Sequence, residues 1–199
     1  MIEFLRDDPA IKNFYSLRWL VRWHGEQTPG LNLVHTHFDG DLLVFIMEYI
    51  SNWPTVVSLR DPLLSILSAF NRDPKGDYTY LVDQFVRQAK LIDSGLTRYA
   101  PIYFPIDLIE RVSFEERVQQ FTEIFAPLGY LDKNRYLTWA DRWPYINSQR
   151  HNPYRILYRH SLGEEIKQLI PNEWNALVSA RPILQPFLEA QGYTDLLWW

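Results

Sequence analysis

Val56-Val57-Ser58-Leu59-Arg60-Asp61-Pro62-Leu63-Leu64-Ser65-Ile66-Leu67-Ser68 is the stretch on which the fold class turns. Its first residues, with Pro54 and Thr55 before them, form a short β-favouring run. A short apolar run of this kind predicts a strand over 54–59, placed centrally in a sheet. Asp61 carries a side chain that caps a helix, and Pro62 fills the first helical position, where a missing N–H costs nothing. A helix is therefore expected through Phe70. A strand handed directly to a helix is half of a crossover unit, the building block of parallel sheets. In such folds functional groups collect at the C-terminal ends of strands, where Arg60 and Asp61 stand.

Upstream, residues 31–37 alternate apolar and polar, which predicts a second strand ending in His35-Thr36-His37. Residues 41–50 read as an apolar helix. Residues 8–24 read as an amphipathic helix, with Asp8 as cap, Pro9 in the first turn, and Phe14, Leu17, Leu20 and Val21 on one face. Gln27-Thr28-Pro29-Gly30 is a turn. Downstream, a longer helix is expected over 77–96 and a strand over 101–106. Ser113-Phe114-Glu115-Glu116 is a capping box opening a helix to Phe125, which Leu128-Gly129 stops. Residues 130–160 mix Arg, Asn, Pro and rings and show no clear period. Residues 162–193 read as two short helices, broken at Pro171 and Pro182.

The whole predicts one α/β domain over 1–199, a parallel sheet flanked by helices. It comprises a helical segment over 1–30, an α/β core over 31–130 and a mainly helical part over 131–199. A length of 199 residues suits one domain and buries a core without staples. The net charge of −4 disfavours a general nucleic-acid binder or a membrane-surface binder. The absence of cysteine removes disulfides, thiolate metal sites and cysteine nucleophiles, and fits a cytoplasmic location. The acidic start, Met1–Phe14, does not read as a signal peptide, and no apolar run reaches membrane-spanning length. The apolar end, Leu196-Leu197-Trp198-Trp199, has to dock either on its own domain or on a protein partner, such as a second copy in an oligomer.

The chemistry suggested by the opening stretch is anion binding. The first turn of the helix offers unpaired N–H groups and a positive dipole end, and Arg60 adds a planar fork of donors. Ser65 and Ser68, three apart on one helix face, can add hydroxyls. The plainer alternative is that Arg60 pairs with a carboxylate and the serines are ordinary helix residues. His35 and His37 project to one face of their strand. With Asp39, Asp41 or Asp61 they could hold a metal, but two histidines are a weak signal and no metal is expected. His24, His151 and His160 read as surface residues. No nucleophile elbow, Walker loop or glycine-rich dinucleotide turn is present.

A strand ending in Arg60-Asp61-Pro62, with Ser68 eight residues after the arginine, resembles the 3′-phosphate-binding motif of sulfotransferases. His35-Thr36-His37 resembles the family's Lys-Thr-His strand end, with His35 in the lysine position. The segment 100–108 resembles a later strand with its acidic turn, and 184–193 the closing helix. The likeness spans 31–193 and is strongest over 33–70. It implies a P-loop-related fold and 3′-phosphoadenosine 5′-phosphosulfate (PAPS) as co-substrate. The implied acceptor is a hydroxyl or amine on a small molecule, carbohydrate or protein. Arg60, Ser68 and Ser65 would bind the nucleotide. His37 would be the base, and His35 would replace part of the cationic stabilisation of the leaving group. The family's 5′-phosphosulfate loop has no counterpart among the 36 residues before His37, which implies a fold truncated at its N-terminus. A second implication is a catalytically degenerate member that serves as a binding or structural component of an assembly.

Overall fold

The computed structural model describes residues 11–16, 31–35, 56–93, 102–128, 132–146 and 152–199, and every strand among them pairs in parallel. The class is α/β, with helices outweighing two short strand pairs. The chain divides into two compact units, residues 1–39 and 40–199.

In the first unit β1 (Ile11–Ser16) pairs with β2 (Leu31–His35), in a register that shifts between Ile11 and Asn13. The helix expected over 8–24 is thus corrected to a strand over 11–16. Ile, Asn, Phe, Tyr and Ser are indifferent helix formers, and the rings and Ile favour a pleated surface once a partner strand is at hand. The helix expected over 41–50 and the turn at 27–30 lie outside the described residues.

In the second unit β3 (Val56–Leu59) pairs with β4 (Ile102–Pro105), and Leu59 lies opposite Pro105. Helix α1 (Pro62–Arg72) follows β3 with Asp61 as its cap and Pro62 in its first turn, as its sequence predicts. Helix α2 (Thr79–Asp93) occupies the stretch expected to be helical. The short α3 (Ile106–Ile109) leads to α4 (Phe114–Phe125), whose start is the capping box at Ser113 and Glu116. A 3₁₀ turn, Ala126–Leu128, ends α4. The stretch without a clear period contains α5 (Lys133–Ile146) and α6 (Pro153–Arg159).

Two helices close the unit, α7 (Gly163–Leu169) and α8 (Pro171–Glu189). The break expected at Pro182 does not occur, and α8 runs through both Pro182 and Pro186. Val178, Pro182 and Pro186 lie four apart on an exposed stripe, where water can take the carbonyls that the prolines release. The opposite stripe, Leu177, Ala180, Leu184 and Leu188, is buried and anchors the helix on the core.

One core gathers Leu59, Leu63, Ile66 and Leu67 from β3 and α1 with Val82 and Ala89 of α2 and the buried stripe of α8. Leu196 and Trp198 belong to it, so the apolar end of the sequence docks on its own unit. A second cluster is aromatic. Phe104 of β4 meets Phe121 of α4 at 5.8 Å and Trp143 of α5 at 5.3 Å, and Trp139 packs edge-on against Phe125 at 5.3 Å.

Beside this cluster Arg117 is buried and donates to three carbonyls. They are those of Ile109 (3.1 Å), Val112 (3.0 Å) and Ala140 (2.7 Å). Its fork joins the end of α3, the loop after it and α5. Arg117→Met is expected to cost roughly 2–4 kcal/mol in urea denaturation, because two buried acceptors and a part-buried one lose their donor together. Arg117→Lys should recover only part of that, since an ammonium does not match the fork's geometry. A methionine variant as stable as wild type would contradict this role.

Candidate functional site

The end of β3 is where chemistry collects, and its geometry follows from the register. Because Leu59 lies opposite Pro105, the next residues of both strands emerge at one edge. Arg60 and Asp107 are brought together there. Arg60 Nε donates to Asp107 Oδ1 at 3.3 Å, and the Asp61 amide donates to Asp107 Oδ2 at 2.8 Å. The Arg60 side chain is 20% exposed, while that of Asp107 is 1% exposed.

Asp61 is fully buried. Its Oδ1 accepts from the Leu63 amide at 2.9 Å, the capping bond of α1, and from Trp198 Nε1 at 3.0 Å. Its Oδ2 accepts from the Tyr158 hydroxyl of α6. Tyr193 donates its hydroxyl to the Leu59 carbonyl at 3.1 Å. Farther along α1 the Leu67 carbonyl accepts from Asn152 Nδ2 at 3.3 Å, and Asn152 caps α6. The residues flanking Arg60 are thus tied to α6 and to the last residues of the sequence.

The predicted site residues fall as follows. Arg60 stands at the strand end and is paired with a carboxylate, the plainer of its two expected roles. Ser65 is half-buried and its Oγ donates back to the Asp61 carbonyl at 3.3 Å. Ser68, one turn on, is 8% exposed. His35 closes β2 in the other unit. His37, Asp39, Asp41, His24 and His151 lie outside the described residues. His160 caps the end of α6 and is exposed. Among the described residues no group of three His, Asp or Glu side chains is placed to hold a metal ion.

The electrostatics single out Asp61. Burial raises its carboxyl to about 6, and the nearby Asp107 adds to that rise. The donors Tyr158, Trp198 and the Leu63 amide pull the other way. Burial also raises Asp107, opposed first by the Arg60 guanidinium. Beside this pair Glu110 receives Arg155 and, at 3.2 Å, Arg159.

Sequence reasoning missed Asp107, Tyr158, Tyr193 and Trp198 as partners. Asp107 sits in the segment 100–108 and Tyr193 ends the segment 184–193, the two outer segments of the sequence resemblance. The docking of Leu196–Trp199 on its own unit is one of the two outcomes that its apolar character predicts. Nothing local marks Tyr158.

No protein-family model, curated protein or solved structure matches the chain.

The raised Asp61 carboxyl fixes a pH dependence. A carboxyl that binds its proton more tightly when folded makes the fold more stable at low pH. That advantage is lost as pH rises from the unfolded value near 4 through about 6. Asp61→Asn mimics the neutral form, since its Oδ1 can accept twice and its Nδ2 can donate to the Tyr158 oxygen. It is expected to be more stable than wild type at pH 7.5 by roughly 1–3 kcal/mol and to flatten the pH profile. Urea denaturation at pH 5 and 7.5 checks this. A variant less stable than wild type at both values would contradict it.

Proposed function

We propose that the chain is a sulfotransferase-like protein that binds a nucleotide carrying a 3′-phosphate at the β3–α1 turn. The observation that carries this reading is convergence. The segments that resemble the family are far apart in sequence. Three of them, around Arg60, Asp107 and Tyr193, meet at the end of β3. Sharing a sequence pattern could be coincidence at any one of them, whereas joint assembly at a strand end is what a common site requires.

In this reading the nucleotide is the co-substrate PAPS. Arg60 contacts Asp107 through Nε, which fixes the plane of the guanidinium. Its Nη groups are assigned to the 3′-phosphate, with Ser65 and Ser68 on the first turns of α1. An acceptor hydroxyl or amine would attack the sulfur in line as the sulfur–oxygen bond to the 5′-phosphate breaks. The resemblance alone assigns the acceptor's proton to His37 and part of the charge on the departing bisphosphate to His35.

One observation favours the second reading, a catalytically degenerate protein that uses the fold as a binding or structural component. The N–H of Leu63, at the start of α1, is already taken by Asp61, and Trp198 covers that carboxylate. Calorimetry with adenosine 3′,5′-bisphosphate separates the two. Binding is expected, with Arg60→Ala weakening it by about 2–3 kcal/mol, the range of a charge-assisted contact. No binding to wild type at millimolar ligand would remove the first reading and leave the second.

A further inference from the structure

The last seven residues do more than fill the core. After α8 the chain turns at Gly192, whose φ of +87° lies in the left-handed region that glycine adopts without strain. The Gly192 amide donates to the Glu189 carbonyl and the Tyr193 amide to that of Leu188, which redirects the chain across the unit. Tyr193, Leu196 and Trp198 are then buried, at 1%, 5% and 2% exposure. Two side-chain hydrogen bonds anchor this segment on β3 and its turn. Tyr193 reaches Leu59 and Trp198 reaches Asp61, the residues on either side of Arg60.

We propose that Tyr193–Trp199 is a strap that closes over the β3–α1 turn when the Asp61 carboxyl holds a proton and loosens when it ionises. The geometry supplies the reason. Closure leaves Asp61 with no exposure and sets it beside a second buried carboxylate, Asp107. The nearby cations contact other carboxylates or act from a distance, Arg155 on Asp107 and Arg111 on Tyr158. Arg60 contacts Asp107, Arg155 and Arg159 of α6 contact Glu110, and Arg111 is exposed. Among the described residues no guanidinium or ammonium is paired with Asp61. The other titratable neighbours are the hydroxyls of Tyr158 and Tyr193, which burial keeps neutral.

The three donors also dictate where the proton sits. Oδ1 faces two N–H groups, Leu63 and Trp198 Nε1, and neither can accept. Oδ2 faces a hydroxyl, and Tyr158 can turn from donor to acceptor. A proton on Oδ2 therefore keeps all three hydrogen bonds and removes the buried charge. An ionised Asp61 keeps the bonds but leaves the charge uncompensated, and lifting Trp198 is the move that lets water reach it. The direction agrees with the raised Asp61 carboxyl, since the closed form is the one that binds the proton more tightly. The strap stands whether or not a nucleotide binds at Arg60.

The test is hydrogen exchange at the Trp198 indole, assigned by the signal that Trp198→Phe removes. Protection is taken relative to the core amides of α8 and corrected for the intrinsic pH dependence of exchange. In the full chain, protection is expected to fall about tenfold between pH 5 and 7.5 as the open form gains population. Asp61→Asn should stay protected across that range. Tyr158→Phe, which takes a donor from the ionised form, should move the midpoint to higher pH. Protection independent of pH in wild type, or an asparagine variant that follows the wild-type profile, would overturn the proposal. If the asparagine variant does not fold, an unshifted midpoint in Tyr158→Phe overturns it equally.

Discussion

A helix that starts just past the buried end of a strand, here Leu59, has to satisfy its first N–H groups without water. Here the Asp61 side chain does so for the Leu63 amide, and the solution creates a new demand. A carboxylate at this position is itself shut away from solvent and needs donors of its own. Leu63 supplies one, and the others come from α6 and from the end of the sequence through Tyr158 and Trp198. The position of the last residues is thereby fixed by a capping requirement at residue 61. Without these donors Asp61 would be a buried group lacking partners, among the costliest defects a core can hold.

The same turn explains the neighbouring charges. Asp107 receives both the Arg60 guanidinium and the Asp61 amide, so it fixes the direction in which the chain leaves β3. It also places a second acid near the first. Two buried carboxylates served by one contacting guanidinium produce the raised Asp61 carboxyl. Stability of the turn and its sensitivity to protons thus come from one arrangement. Elsewhere in the unit Arg117 meets a comparable demand with neutral acceptors only, and its role there is architectural.

Local rules carried much of the fold. Asp61-Pro62 and Ser113 to Glu116 mark helix starts through contacts within three residues, and both helices begin where those signals stand. The strands at Val56–Leu59 and Ile102–Pro105 follow from short β-favouring runs. The misreadings have tertiary causes. Residues 11–16 have no strong preference of their own, and a parallel partner at 31–35 decides them. Helix α8 passes two prolines because its buried leucines anchor one stripe while the prolines occupy the wet one. The site divides similarly. Arg60 and the serines were legible because they sit on one strand–helix unit. Asp107, Tyr158 and Trp198 act on it across 46, 97 and 137 residues, and no periodicity reports such contacts.

If one carboxyl joins the turn, α6 and the end of the sequence, its two side-chain donors must be energetically coupled. A double-mutant cycle on Tyr158→Phe and Trp198→Phe, followed by urea denaturation at pH 7.5, measures that coupling. Loss of either donor should favour the protonated carboxyl and make loss of the other less costly. The double variant is expected to be destabilised by less than the two single effects together, with a difference of at least about 0.5 kcal/mol. Effects that add to within about 0.3 kcal/mol would show two independent contacts and contradict the account.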